Sequence, residues 1–476
     1  MRGARRACGG ALGVFCLSAA IARAGEPVAY SLDATDVASG RVRVTVTLPE
    51  PLPAPADLVI PRGYPGGYGL VPYDRFVENV SAATTTGETL PVVRASQGPR
   101  WRLGKEGERV ARVAYEVDVA RMERDLPSGV DASKTRPRYA GLLGYSVFAF
   151  VDGLERRPVS LRVRAPDGWP VLSTLAPAVP PPTQPLNVPA PDYASLADSQ
   201  LLMGPALSVT RLPGTIPLVL AVYAECDEDV ALEGTIARTA LDRVAAYFGD
   251  APIPAYTVQL ELLKPLPGHD YGFSQEHFES GTFSFSVASA TTAATTATGR
   301  LRTLQNYAHH MAHAWIPIRA YGPGYRPFPW ELPPLLDTVW FNEGFGRYAS
   351  IAALAEGMPA AEGARFRSGA LVRLRQILDD APPFLARMSM RDLSRTASFL
   401  YSEDFRVGKS TFARGALMAA GMDDRIREET NGTKSLRDAL RALLRTPQPF
   451  EPADLPRIFR DATGVDVREI FDRGMR

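Results

Sequence analysis

Two histidines four residues apart, followed thirty residues later by a glutamate, constrain this chain more than any other feature. His309-His310-Met311-Ala312-His313 opens the stretch, and Trp340-Phe341-Asn342-Glu343-Gly344-Phe345 closes it. On a helix, residues i and i+4 leave the same face one turn apart, so His309 and His313 can reach one metal ion. Glu343, entering from a second helix, would complete a three-ligand site with an open position. Leu301, Leu304, Tyr307, Met311 and Trp315 recur every three or four residues with no proline before Pro317, which predicts a helix here.

Histidine usage points to the same place. All five, His269, His277, His309, His310 and His313, fall within 45 consecutive residues of a 476-residue chain, which favours a metal or acid/base site over scattered core histidines. Zinc suits such a nitrogen and carboxylate set better than copper or nickel. In the H-E-x-x-H pattern of zinc peptidases, the residue after the first histidine is a glutamate that takes a proton from water and passes it to the leaving amine. Here that residue is His310. Its side chain leaves a regular helix about 100° from His309, so the pair His309 and His313 is the better ligand set.

The rest of the chain divides by texture. Arg2, Arg5 and Arg6, an apolar run from Ala7 to Ile21 and Ala22-Arg23-Ala24 make residues 1–24 a secretory signal, too short to span a bilayer. A secreted or periplasmic protein without membrane insertion is expected, beginning near Gly25. The formal charge of +1 gives no basis for a nucleic-acid partner. Cys8 and Cys16 leave with the signal, so Cys226 stays alone and reads as a small buried residue.

Residues 25–176 alternate as half-buried strands. Val42, Val44, Val46 and Leu48 do so, as do Val113, Tyr115, Val117 and Val119, and then Val159, Leu161 and Val163. An all-β sandwich-like domain follows. Tyr64-Pro65-Gly66-Gly67-Tyr68 reads as a structural corner within it. Seven prolines between 177 and 191 predict an extended linker with too few amide donors for a ladder.

Residues 192–476 mix elements. Val258, Leu260 and Leu262 mark a strand, and Ile236, Ala240, Val244 and Phe248 a helix. The Ala/Thr-rich run 288–298 reads as a loop or frayed helix start. Helices continue past Gly357, one of them capped by Ser435 with Asp438.

With these residues in view, the chain resembles the glycyl aminopeptidase family, number sixty-one among the metallopeptidases, a gluzincin family related to aminopeptidase N. Tyr64 to Tyr68 is similar to its W-x-P-G-S-Y turn, and Asp192-Tyr193 to Asp198-Ser199 to its D-Y-x-x-L-x-D-S segment. Glu276-His277 with Ser280 resembles G-L-E-H-x-x-S, and His309 to Trp315 resembles H-E-x-x-H-x-W. Arg414-Gly415-Ala416-Leu417 and Asp423 to Arg427 resemble K-G-A-L and L-D-x-x-I-R.

The resemblance implies an α+β, multidomain chain: a β-rich N-terminal domain, then a thermolysin-like, mainly helical catalytic domain; the PDZ domain that often follows in relatives is not expected here. It implies one Zn2+ held by His309, His313 and Glu343, with Glu276 and His277 on the substrate side, Glu276 receiving a free α-amine. Peptides or protein N-termini would be the partners. Two departures bear on catalysis. His310 replaces the general base, and Thr411-Phe412 stands where the family has Tyr-Tyr, whose phenol donates to an oxyanion. Tyr348 and Tyr401 are the candidates to replace it. The expected function is an exported, zinc-binding, hydrolytically impaired homologue. The alternatives are an active zinc aminopeptidase for small N-terminal residues and a structural secreted protein without metal.

Overall fold

Alternation along Arg41–Pro53 sends Val42, Val44, Val46 and Leu48 inward and Arg43 and Thr47 to solvent, so one face of the strand is committed to a core. The computed structural model describes residues 25–183, 185–289 and 296–476. The secretory signal expected at residues 1–24 lies outside the described residues, as do 290–295 of the Ala/Thr-rich run.

Seven strands form the main N-terminal sheet, in the order Leu186–Ala190, Val159–Arg164, Val28–Asp33, Arg41–Pro53, Arg109–Asp118, Val77–Ala83 and Thr89–Leu90. Only the pairing of Val28–Asp33 with Val159–Arg164 is parallel. Two four-stranded sheets accompany it, one around Ala56–Val59 and Arg100–Leu103, the other around Tyr139–Leu143 and Gln200–Met203. Val44, Val113 and Leu161 of the first sheet share one core with Leu58, Trp101 and Leu142 of the others. This is the expected sandwich-like packing.

Two local expectations change. The strand predicted to run through Val119 ends at Asp118, whose carboxylate accepts from Arg121 N and caps a short helix, Val119–Asp125. The proline-rich stretch is not a free connector throughout. Leu186–Ala190 pairs with Val159–Arg164 as the outermost strand of the seven-stranded sheet, where Pro189 needs no second ladder partner.

The second half begins with a five-stranded sheet in the order Ser208–Leu212, Leu218–Ala224, Tyr256–Leu263, Ser280–Ser286 and Gly272–Glu276. The three central strands are parallel. Helix Val230–Phe248 makes the crossover between the first two and buries Ile236, Ala240, Val244 and Phe248. Its antiparallel edge strand, Gly272–Glu276, lies against helix Ala297–Ala312. Helices then follow to the end of the chain, among them Gly346–Glu356, Met390–Leu400, Phe405–Glu429 and Leu436–Leu443. The last is capped reciprocally by Ser435 and Asp438.

A buried polar contact joins the two halves. Lys134, from the N-terminal region, places Nζ 2.9 Å from Glu261 Oε2, while Tyr139 and Ser284 donate to the same carboxylate at 2.7 and 2.6 Å. Arg100 forks onto Glu331, and Arg136 reaches Glu123 and Glu225. A second polar strap, Ser402 Oγ to Gly67 O at 3.2 Å, ties the Tyr64–Tyr68 turn to the helical region.

Candidate metal centre

Helix Ala297–Ala312 starts at Thr296, whose hydroxyl accepts from Gly299 N, and ends just before His313. Trp315, expected on the helix, lies beyond its end. This end of a helix carries partial negative charge from its free carbonyls, which favours a cation there. His313 sits at the end residue and donates Nδ1–H to Ile316 O at 2.7 Å. A carbonyl can only accept, so the proton is on Nδ1 and the Nε2 lone pair is bare.

Glu343 enters from a widened π-type turn, Trp340–Phe345, of the kind found at functional sites. The turn packs directly on helix Phe405–Glu429 because Gly415 has no side chain. A Cβ there would stand 2.1 Å from Trp340 O. One Glu343 oxygen lies 3.5 Å from His309 Nε2 and 3.5 Å from His313 Nε2, and one ligand atom from each of the three falls mutually within 4.8 Å. Corners of a tetrahedron with ~2.0–2.1 Å bonds are separated by about 3.3 Å, so these three groups are spaced to share one ion. His313 Nε2 is buried without a hydrogen-bond partner, so its lone pair fits the role of a metal ligand.

The structure puts His310 closer to the centre than regular helix geometry suggested. Its ring is 5.0 Å from that of His309 and 6.0 Å from that of His313. Nε2 shares a 2.8 Å hydrogen bond with Ser274 Oγ, and Nδ1 lies 3.5 Å from Glu276 Oε2. The edge strand that carries Ser274 and Glu276 wraps round the helix on this side, so the cavity spans more than one face. Glu276, His310 and His313 form a second group of possible ligands. Because both groups need His313 Nε2, they cannot be filled independently.

The corner read from sequence as structural belongs to the site. Tyr68, in the left-handed region at φ 42°, donates its hydroxyl to Glu343 Oε1 at 3.0 Å. Gly66 is also left-handed, and a Cβ on it would fall 2.0 Å from Glu276 Oε1, so only glycine lets this turn close over the carboxylate. Gln275 Nε2 donates to Pro65 O at 3.0 Å and fixes the turn. Nothing in the sequence linked Tyr68 to Glu343 except the family-like turn itself.

Other predicted residues are placed differently. His277 does not line the cavity. Its Nδ1 meets Asp198 Oδ1 at 3.2 Å, its Nε2 meets Thr282 Oγ1 at 3.0 Å, and its ring stacks on Tyr145. The sequence placed it beside Glu276 on the substrate side; it falls just past the strand's end, where its backbone N–H donates to Ser280 O and Asp198 and Thr282 hold its ring in the core. His269 stands apart, against Tyr271. Thr411 Oγ1 donates to Val407 O of its own helix, and Phe412 lines the cavity. Tyr348 donates to Asp423 and is held by Arg367, away from the cavity. Tyr401 does line it, in a group of rings with Tyr68, Phe405 and Phe412. The cavity, about 160 Å³, also reaches Arg347, one helical turn after Glu343.

Charge in this buried cluster is finely balanced. Burial opposes a charged His313, yet the carboxylates of Glu276 and Glu343 lift its pKa to about 9. For His310, burial and then His313 act together and pull it down to about 3. Burial raises Glu276, aided by Glu343. Two buried carboxylates facing three histidines thus favour positive charge at the centre, and a divalent ion would balance both carboxylates.

Residues 29–205 match the Peptidase M61 N-terminal domain model. No curated protein matches the chain. Among solved structures, an aminopeptidase N family protein from Idiomarina loihiensis is similar over 94% of this chain and 76% of its own, at 19% identity and a TM-score of 0.79. An M1 zinc metallopeptidase from Deinococcus radiodurans is similar over 94% of both chains, at 18% identity and a TM-score of 0.54. A variant of that peptidase bound to a Tyr-Ser-Ala substrate aligns over 94% of both chains, at 17% identity and a TM-score of 0.52.

Proposed function

As a chain with an M61-type N-terminal domain on the fold of M1 zinc metallopeptidases, this protein is, we propose, an exported zinc-binding peptide receptor of the glycyl aminopeptidase type that hydrolyses its ligands slowly or not at all. His309, His313 and Glu343 would hold the zinc, which when bound supplies a Lewis acid for a peptide carbonyl and an acidified water. Glu276 is the counter-charge for the free amine of a peptide or protein N-terminus, buried under Gly66 and therefore selective for a small first residue. The Tyr-Ser-Ala complex of the Deinococcus enzyme supports peptides as the ligand class.

The observation that carries the impaired reading is His310. A histidine with a pKa near 3 surrenders its proton too readily to carry one to a leaving amine at neutral pH, whereas a glutamate would end neutral. The oxyanion side is weakened as well, since Thr411 spends its hydroxyl on the helix and Phe412 has none to give. A working aminopeptidase is the second reading, and Tyr401 favours it by bringing a phenol to the cavity wall. The test is zinc content together with hydrolysis of glycyl and alanyl chromogenic amides. About one zinc per chain without turnover is expected; zinc-dependent turnover abolished by a chelator refutes the impaired reading, and zinc near zero refutes both.

A further inference from the structure

Arg347 has no role in the scheme above, and its surroundings ask for an anion. It lines the 160 Å³ cavity and also a neighbouring cavity of about 810 Å³ whose walls include Leu260, Leu262, Ile351 and Leu374. Its Nε is buried with no hydrogen-bond partner, and among the described residues no carboxylate forms an ion pair with its guanidinium. Arg136, also deeply placed, is by contrast paired with both Glu123 and Glu225. Glu233, the carboxylate that lines the larger cavity, is already engaged by the hydroxyl of Tyr307 at 2.7 Å. Burial lowers the Arg347 pKa from its ordinary value, and the nearby carboxylate of Glu343 offsets only part of that.

Arg347 is only half-buried, but its Nε is shut off without a partner, and its planar fork fits a carboxylate better than a point charge does. Beside it the larger cavity sets the apolar Leu260, Leu262, Ile351 and Leu374 among polar groups such as Asn306, Arg302 and Arg373, a lining suited to a ligand with both an apolar body and charged ends. We infer that Arg347 seats the C-terminal carboxylate of a short peptide whose last side chain is apolar and fills the larger cavity, with the peptide's amine at Glu276. This deepens the proposed function and rests on it for the amine end. It narrows the ligand from protein N-termini to free di- or tripeptides.

The same chemistry, a carboxylate on an apolar body, also describes a medium-chain fatty acid, so the experiment carries an arm for each source. Calorimetric titration of the zinc-loaded full chain uses Gly-Phe, Gly-Phe amide and decanoate, and any turnover shows separately as continuing heat. Native protein is expected to bind Gly-Phe about tenfold or more tighter than the amide, the difference expected of one charge-assisted fork. Arg347→Gln should abolish the preference and Arg347→Lys retain part of it, with thermal melting used to show that both variants are folded. Glu276→Gln should weaken acid and amide alike while keeping their ratio; if it leaves both unchanged, the amine reading fails and the Arg347 seat stands. Equal binding of acid and amide by native protein, or an unchanged ratio in folded Arg347→Gln, overturns the proposal. Decanoate binding that depends on Arg347 without any Gly-Phe binding overturns the peptide assignment.

Discussion

Replacing His310 by glutamate tests the central chemical argument. Burial and then His313 pull the His310 pKa down to about 3, so holding a transferred proton at pH 7 carries a penalty. A glutamate removes that penalty and restores a group typically worth about 10²- to 10⁴-fold in rate. The new carboxylate meets an opposing effect, because His310 Nδ1 already lies 3.5 Å from Glu276 Oε2. At that distance two carboxylates repel by about 4–5 kcal/mol at an effective dielectric of 20. The repulsion raises the pKa of the pair, and a substrate ammonium at Glu276 relieves it. His310→Glu is therefore expected to gain about 10²- to 10⁴-fold in turnover of glycyl amides over native protein. The acid limb of kcat/KM should lie above the ordinary carboxylate range, and that of kcat, measured with substrate bound, should lie lower. A folded, zinc-loaded His310→Glu protein with no more turnover than native would refute the claim that the base is what this chain lacks.

Four further outcomes follow from named contacts. Tyr68→Phe removes the hydroxyl that orients Glu343 and should weaken zinc about 10- to 100-fold in a chelator competition, without loss of folding. In the His310→Glu background, Tyr401→Phe should lower kcat about 10²- to 10³-fold if its phenol serves the oxyanion; an unchanged kcat removes Tyr401 from that role. Glu261→Gln leaves Lys134 buried without its closest counter-charge and should cost about 3–5 kcal/mol in urea unfolding. Burial alone would raise Glu261, but Lys134, Ser284 and Tyr139 hold it below its ordinary value; its stabilisation is thus present above the unfolded pKa and lost as pH falls through the folded one. The Glu261→Gln curve should therefore lack part of the native acid limb. Gly415→Ala, which on propensity alone would favour a helix, should instead destabilise by about 1–3 kcal/mol or more, because its methyl would meet Trp340 O.

Much of this was readable wherever a side chain's role follows from its own periodicity. Val42 to Leu48 and Ile236 to Phe248 are buried as their spacing requires, and the Ser435 and Asp438 cap forms as written. His309, His313 and Glu343 converge because a four-residue spacing fixes two directions on one helix. Roles set by a partner distant in the chain were not readable. Tyr68 meets Glu343 across 275 positions, and Lys134 meets Glu261 on another sheet. His277 looked like a partner of Glu276 because it is adjacent, yet the strand ends at Glu276 and Asp198, 79 positions away, draws the ring into the core. Arg347 carries no signal at all in sequence; its meaning comes from what fails to stand beside it.

The placement of Tyr68 and Gly66 bears on why the two halves travel together. Glu343 is held by a hydroxyl from the N-terminal region, and Glu276 is covered by a glycine from the same turn, so neither carboxylate is finished by the helical half alone. Without that turn, Glu343 would lose the donor that fixes its free oxygen, and Glu276 would face water rather than a backbone lid. Solvation lowers a buried carboxylate's pKa and weakens its attraction for an ammonium by the ratio of dielectrics. An isolated fragment 206–476, cut after Gln200–Met203 of the N-terminal sheet, is thus expected to bind zinc more weakly and to lose its preference for peptide amines, even if it keeps its helices. Measured side by side with the full chain, equal zinc affinity and equal Gly-Phe binding would mean that the turn is only a structural corner, and that the site needs nothing from the β-rich half.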